Sequence, residues 1–101
     1  MKPVIVHSQA KTELDHAISY YESRMTGLGL EFHAKVEQAF QKIQLNPQTW
    51  PRHSDPRFRK YVLERFPYLI FYMEQPAAIW IVAVAHAKRH PQYWRARRPP
   101  N

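Results

Sequence analysis

Two stretches in the first half of the chain carry apolar residues at helical spacing. Apolar positions recur every three or four residues from 9 to about 25, and again from 30 to 45. Gly27 and Gly29 lie between these stretches and can adopt the positive φ that ends a helix. Asn46 precedes Pro47 and is therefore disfavoured in the helical region, so the second helix ends there. The pattern predicts two amphipathic helices joined by a short turn, which form a helical hairpin.

The remaining apolar stretches predict four strands. A short one covers residues 3–7, and two more cover residues 59–66 and 68–74, separated by Pro67. In residues 59–66 the even positions share one face and the odd positions the other. The last strand opens at about residue 77, and the apolar run from Ile79 to Val84 predicts burial on both of its faces.

Together these elements follow the order β-α-α-β-β-β. The last three strands are predicted to form an antiparallel meander, because short turns separate them. The expected fold is an α+β domain in which the helical hairpin packs on a small, mainly antiparallel sheet. A chain of 101 residues supports one hydrophobic core, so we expect a single domain over residues 1–101. Residues 95–101 are predicted to be a flexible basic tail.

The net positive charge comes entirely from the second half of the chain. Residues 1–51 hold five basic and five acidic residues, whereas residues 52–101 hold ten basic and three acidic ones, which gives the entire net charge of +7. The buried last strand leads directly into a basic and aromatic segment, so it is predicted to deliver a surface that contacts a polyanion. The absence of cysteine excludes disulfides, thiolate metal sites and thiol nucleophiles. With no apolar run near 20 residues and no signal-peptide pattern, we expect a cytoplasmic protein without a membrane partner.

Several motifs in order suggest a family. They are Ala10-x-x-Glu13-Leu14 followed by YYE, GLG before FHAKVEQAF, then NPQTWP, LERFPYLIFY and AVAHAKRHPQYW. From about residue 4 to residue 94 the chain resembles the RelE/ParE superfamily of type II toxin–antitoxin toxins, and especially its plasmid-stabilisation proteins. The resemblance implies a basic toxin that arrests growth until a cognate antitoxin covers its active surface. It also implies either DNA gyrase or the ribosome and its mRNA as the target.

Metal-free RNA cleavage would need a proton acceptor, cations for the phosphate and a proton donor for the leaving oxygen. The candidate catalytic residues are His86, Arg89 and Tyr93, where His86 is either an acid–base group or a histidine that bonds to nearby backbone. The candidate target-binding residues are Arg59, Lys60, Arg65, Lys88, Trp94 and Arg95. Charges at residues 57–60 have a second interpretation, as edge-strand charges that oppose aggregation. No metal or cofactor is expected, because no ligand spacing is present.

Leu69 keeps the choice of target open. RNA-cutting members of the superfamily commonly carry a basic residue after the tyrosine that corresponds to Tyr68, and an apolar side chain cannot bind phosphate. Gyrase inhibition and ribosome-dependent mRNA cleavage therefore both remain, so an endoribonuclease activity is left undecided. A non-catalytic basic nucleic-acid-binding module would use the same surface. A homodimer and a heterotetramer with the antitoxin are both compatible with the sequence.

Overall fold

The secondary structure follows the predicted order. The computed structural model describes residues 1–90 and 92–99. Its elements are β1 (Val4–Val6), α1 (Ser8–Arg24), α2 (Leu28–Leu45), β2 (Arg59–Val62), β3 (Tyr68–Glu74) and β4 (Ile79–His86). The predicted α+β class and the order β-α-α-β-β-β are confirmed.

The four strands form one sheet with the spatial order β1-β4-β3-β2. β4 pairs in parallel with β1 and antiparallel with β3, and β3 pairs antiparallel with β2. The predicted meander of the last three strands is therefore present, and β4 lies inside the sheet. Residues from Ile79 to Ala85 are all buried, as the unbroken apolar run predicts.

Each face of the sheet has its own apolar cluster, which explains the burial of β4. The helices cover the first face, where Phe32, Val36 and Ile43 of α2 pack with Ile70 and Ile81 of the sheet. The second face carries a smaller cluster, which contains Phe58, Phe71, Trp80, Val82, Ala83, Ala85 and Trp94. The segment before β2 and the segment after β4 thus cover the side of the sheet that the helices leave open.

The helical hairpin uses its two glycines differently, which corrects the prediction that both break the helix. Gly27 has a φ of 89° and precedes α2, but Gly29 lies inside α2 and is buried. A Cβ on Gly29 would stand 2.6 Å from the carbonyl oxygen of Ile18, so a glycine is needed where the helices approach. Glu22 of α1 accepts hydrogen bonds from the N–H groups of Gly27 and Gly29 and so caps α2.

β2 is shorter than the predicted strand over residues 59–66. Regular pairing ends at Val62, and Arg65 takes a φ of 74° in the turn that leads to β3. Leu63 and Phe66, predicted to face opposite sides, both pack in the core beneath the helices. The prediction was wrong because alternation requires a strand, and the left-handed residue interrupts it.

Candidate functional site

A cleft of about 330 Å³ lies where the end of β4 meets the side of α1. Polar side chains from α1, the start of β3, the end of β4 and the turn after it line the cleft: Glu13, His16, Tyr20, Tyr68, His86 and Arg89. Two of the candidate catalytic residues, His86 and Arg89, therefore share one cavity. Both come from the end of β4 and the turn that follows, as the sequence predicts for a surface delivered by a buried strand.

His86 is held by its own turn. Its Nδ1 accepts a hydrogen bond from the backbone N–H of Lys88 at 3.0 Å. The neutral ring then carries its proton on Nε2, so it donates there rather than accepting a proton. The ring also makes an edge contact with Tyr68, with 5.2 Å between centroids. Burial raises the pKa of Tyr68 above its ordinary value of 10.0. The backbone contact of His86 is thus present, and it orients a ring that lines the cleft, while an acid–base role of His86 stays a prediction.

Arg89 is an exposed cation with a fixed orientation. Its guanidinium carbon lies 3.9 Å from the centroid of the Tyr93 ring, a cation–π contact. Salt bridges within residues 1–90 and 92–99 do not include Arg89. Because its charge is not neutralised by a carboxylate there, Arg89 is suited to contact an anionic or polar target.

Tyr93 contributes its ring to the site and its hydroxyl to the fold. The hydroxyl donates a hydrogen bond to Oε2 of Glu13. Burial, and then this bond, raises the pKa of Tyr93 further above its ordinary value of 10.0. A phenol that is already donating and hard to ionise is a poor acid–base group, whereas the ring of Tyr93 is in cation–π contact with Arg89.

Glu13 lines the cleft and Arg97 binds Glu13, although sequence reasoning named neither residue as a site candidate. Arg97 was assigned to the predicted flexible tail, yet it forms a salt bridge with Glu13 at 2.9 Å and its side chain is 11% exposed. The tail prediction is therefore corrected at Arg97, while residues 100–101 lie outside the described residues. Glu13 did give a signal, since it falls on the buried stripe of α1 between Ala10 and Ala17. A carboxylate in such a stripe requires a partner.

Trp94 does not offer a surface for stacking, which corrects its place among the target-binding candidates. The side chain is fully buried. It stacks on Phe71 with 4.4 Å between centroids, and it makes an edge contact with Phe58 at 4.8 Å. The second face of the sheet needs an apolar cover, and Trp94 supplies it.

The other target-binding candidates are spread over the molecule. Arg59 donates to the carbonyl oxygen of Trp50 at 2.8 Å and so fixes the preceding loop. Arg65 forms a salt bridge with Glu31 at 2.7 Å, and Arg95 approaches Asp55 at 3.5 Å. These three cations are engaged by the protein itself.

Lys60 and Lys88 have different relations to the cleft. Lys60 pairs across the strands with Phe71, which packs on the second face of the sheet. His86 pairs with Tyr68, which packs against the core under the helices. Lys60 and His86 therefore point to opposite faces. Lys88 is exposed in the turn between His86 and Arg89. The structure thus brings together His86, Lys88, Arg89 and Tyr93.

Metal binding is not indicated by the described residues, because none of their His, Asp and Glu side chains gather in groups of three or more. In the same part of the chain, neither helix combines the length and apolarity that crossing a membrane requires.

Comparison with known families decides the assignment. Residues 4–91 match the sequence model described as ParE toxin of type II toxin–antitoxin system, parDE. The chain belongs to the ParE toxin family. The resemblance to the RelE/ParE superfamily is confirmed, and the protein is a ParE-type toxin of a type II toxin–antitoxin system, which implies an antitoxin partner.

The ParE fold is also found among solved structures. A chain from the chromosomal ParDE toxin–antitoxin system of P. aeruginosa superposes with a TM-score of 0.75. The two sequences are 20% identical, and the match covers 87% of this chain and 98% of the other. At this identity the likeness is evidence for the fold. No curated protein sequence matches the chain.

Proposed function

We propose that this ParE-family toxin arrests growth by inhibiting DNA gyrase, which it contacts through the surface formed by His86, Lys88 and Arg89. The observation that carries the proposal is the dispersal of the groups that metal-free RNA cleavage would need. A target-binding surface requires complementarity and charge, whereas cleavage requires several groups around one phosphate.

The proton-transfer groups fit cleavage poorly. His86 Nδ1 is occupied by the Lys88 N–H, and in that tautomer Nε2 is a donor and not a base. The hydroxyl of Tyr93 is directed to Glu13. Deprotonation of a 2′-hydroxyl therefore has no evident acceptor among these candidates.

The cations fit cleavage equally poorly. Lys60 points to the opposite face of the sheet from His86. Arg65 is paired with Glu31, and Leu69 packs beside the second apolar cluster, on the same face as Lys60. Arg89 and Lys88 remain near the cleft, which suits binding better than clamping a scissile phosphate from several sides.

The direct test is a supercoiling assay with purified gyrase. We expect the wild-type toxin to block supercoiling of relaxed plasmid, or to trap cleaved DNA, at concentrations near those of the enzyme. Unchanged gyrase activity under a large excess of toxin would contradict the proposal. Plasmid incubated with the toxin in the absence of gyrase controls for direct DNA binding, the behaviour of a non-catalytic nucleic-acid-binding module.

Ribosome-dependent mRNA cleavage is the second candidate, because His86 and Arg89 line one cleft in which the Nε2–H of His86 can donate a hydrogen bond to a leaving oxygen. Its test is a translating ribosome system in which the ends of the mRNA are mapped with and without toxin. New ends within message would favour this candidate over gyrase inhibition, and uncut message would exclude it.

The antitoxin is proposed to relieve the arrest by covering the surface around Arg89. Light scattering on the co-purified complex gives its mass and separates a heterodimer from a heterotetramer. Addition of antitoxin should restore supercoiling in the gyrase assay at the stoichiometry so measured.

A further inference from the structure

β1 is too short to cover the edge of β4. Its three residues pair with Ile79, Trp80 and Ile81, and the N–H of His7 then donates to the carbonyl oxygen of Ile81 at 2.9 Å. The following groups on this edge include the carbonyl of Val82 and the N–H of Val84, while β4 continues to His86. An edge that continues beyond its neighbour leaves backbone groups that need other partners.

Two charged side chains bind the backbone groups of β4 that β1 leaves uncovered. Glu13 Oε1 accepts a hydrogen bond from the N–H of Val84 at 3.1 Å. Arg97 Nη1 donates to the carbonyl oxygen of Val82 at 2.8 Å. The two side chains bind each other as well, with Arg97 Nη1 at 3.1 Å from Glu13 Oε1 and Nη2 at 2.9 Å from Oε2. One carboxylate thereby joins α1, the edge of β4 and the C-terminal segment.

The same carboxylate reaches the target-binding surface through Tyr93. Glu13 Oε2 accepts the Tyr93 hydroxyl hydrogen bond, and the Tyr93 ring carries the Arg89 guanidinium at 3.9 Å. The Arg97 guanidinium lies 5.2 Å from the same ring. A continuous set of contacts thus runs from Glu13 through Tyr93 to Arg89.

We propose that Glu13 is a positioning residue of the toxin, whose carboxylate fixes the Tyr93 ring and through it the Arg89 guanidinium that meets the target. The inference about potency rests on the proposed role of Arg89, whereas the inference about geometry does not. Since Tyr93 and Arg97 share one acceptor, loss of the carboxylate charge weakens both contacts at once. Glu13 acts through Arg89 and is not a catalytic residue.

The test compares Glu13→Gln with Asp15→Asn. Both variants remove one negative charge from α1, but Asp15 is exposed and pairs with Lys11. The spectroscopic readout is the upfield ring-current shift that the Tyr93 ring imposes on the side-chain NMR signals of Arg89. We expect Glu13→Gln to lose most of this shift while its circular dichroism stays that of the wild type, and Asp15→Asn to retain the shift.

Potency gives the second readout, measured as the inducer concentration that arrests growth and as gyrase inhibition. We expect about a tenfold loss for Glu13→Gln, and a much smaller further loss when Arg89 is already alanine, because the two act through one contact. Equal losses in both backgrounds, or an unchanged Arg89 shift in Glu13→Gln, would overturn the inference. Growth arrest without gyrase inhibition would refute gyrase as the target. The role of Glu13 would then be judged from growth arrest and from the Arg89 shift.

Tyr93→Phe keeps the inference falsifiable if Glu13→Gln does not fold. This variant keeps the ring but removes the hydroxyl that Glu13 accepts. We expect a weaker Arg89 shift and reduced potency, and a full shift with wild-type potency would overturn the role of Glu13.

Discussion

Glu13 and Arg97, separated by 84 positions, form a bidentate ion pair on the edge of β4, with exposed fractions of 15% and 11% for the two side chains. The pair closes the sheet where β1 ends and binds the C-terminal segment to α1. It shows that the basic C-terminal segment, as far as Arg97, is part of the folded domain.

Substitution of Arg97 by alanine should therefore destabilise the protein. Removing one partner of a fully buried pair costs about 3–5 kcal/mol, and partial exposure reduces our expectation to about 2 kcal/mol. Urea denaturation followed by circular dichroism measures the loss. Arg98→Ala is the matched control, because Arg98 is exposed and should change stability by less than about 0.5 kcal/mol. If Arg97→Ala and Arg98→Ala were equally stable, the result would favour a flexible tail at residues 95–101.

Trp94→Ala should cost about 3–5 kcal/mol, since it empties a fully buried site beside Phe71. The urea midpoint of purified protein gives the value. Tyr20→Ala serves as the control, because Tyr20 is 50% exposed and its loss should have a small effect. If Trp94→Ala kept wild-type stability but lost target binding, Trp94 would be a binding residue after all.

Stability should fall on mild acidification because of His7 and His53. Burial lowers the pKa of each below the ordinary value of 6.5. The Nδ1 of His7 accepts the N–H of Gln9 at the start of α1, and that of His53 accepts the N–H of Asp55, so both contacts need an unprotonated Nδ1. A lowered pKa in the folded state means that the unfolded chain takes up protons first as the pH falls below 6.5.

The contribution of these two histidines to the free energy of unfolding is thus complete above pH 6.5. It is lost as the pH falls toward their pKa values in the folded state. Urea midpoints from pH 8 to pH 5 record the change. His7→Asn retains an oxygen acceptor for the helix N-terminus but does not titrate, so it should flatten this dependence. A slope as steep as that of the wild type would exclude His7 as a source.

The elements that sequence predicted well are those with a local cause. The repeat of apolar residues in α1 and α2 and the unbroken run in β4 depend on positions a few residues apart. The placement of His86, Lys88 and Arg89 was predicted for the same reason, because these residues stand at the end of β4 and in the turn that follows it.

The elements that were mispredicted depend on contacts between distant parts of the chain. Gly29 lies inside α2 at a point where α1 comes so close that only a glycine fits. Trp94 is buried because the helices leave one face of the sheet uncovered. Arg97 binds the edge of β4 because β1 is shorter than β4 and leaves the carbonyl of Val82 uncovered. Sequence periodicity contains none of these relations, although the position of Glu13 on an apolar stripe is a signal that a partly buried charge needs a partner.

The most direct test of the central claim is the titration of purified gyrase with wild-type toxin, Arg89→Ala and Arg52→Ala. Both variants remove one exposed arginine. Arg52 is the control, because its side chain donates to the carbonyl oxygen of Pro56 in the loop before β2. We predict that Arg89→Ala needs on the order of tenfold more protein than the wild type to halve supercoiling, while Arg52→Ala matches the wild type. Equal inhibition by all three proteins would contradict the role of Arg89, and no inhibition by the wild type would contradict gyrase as the target.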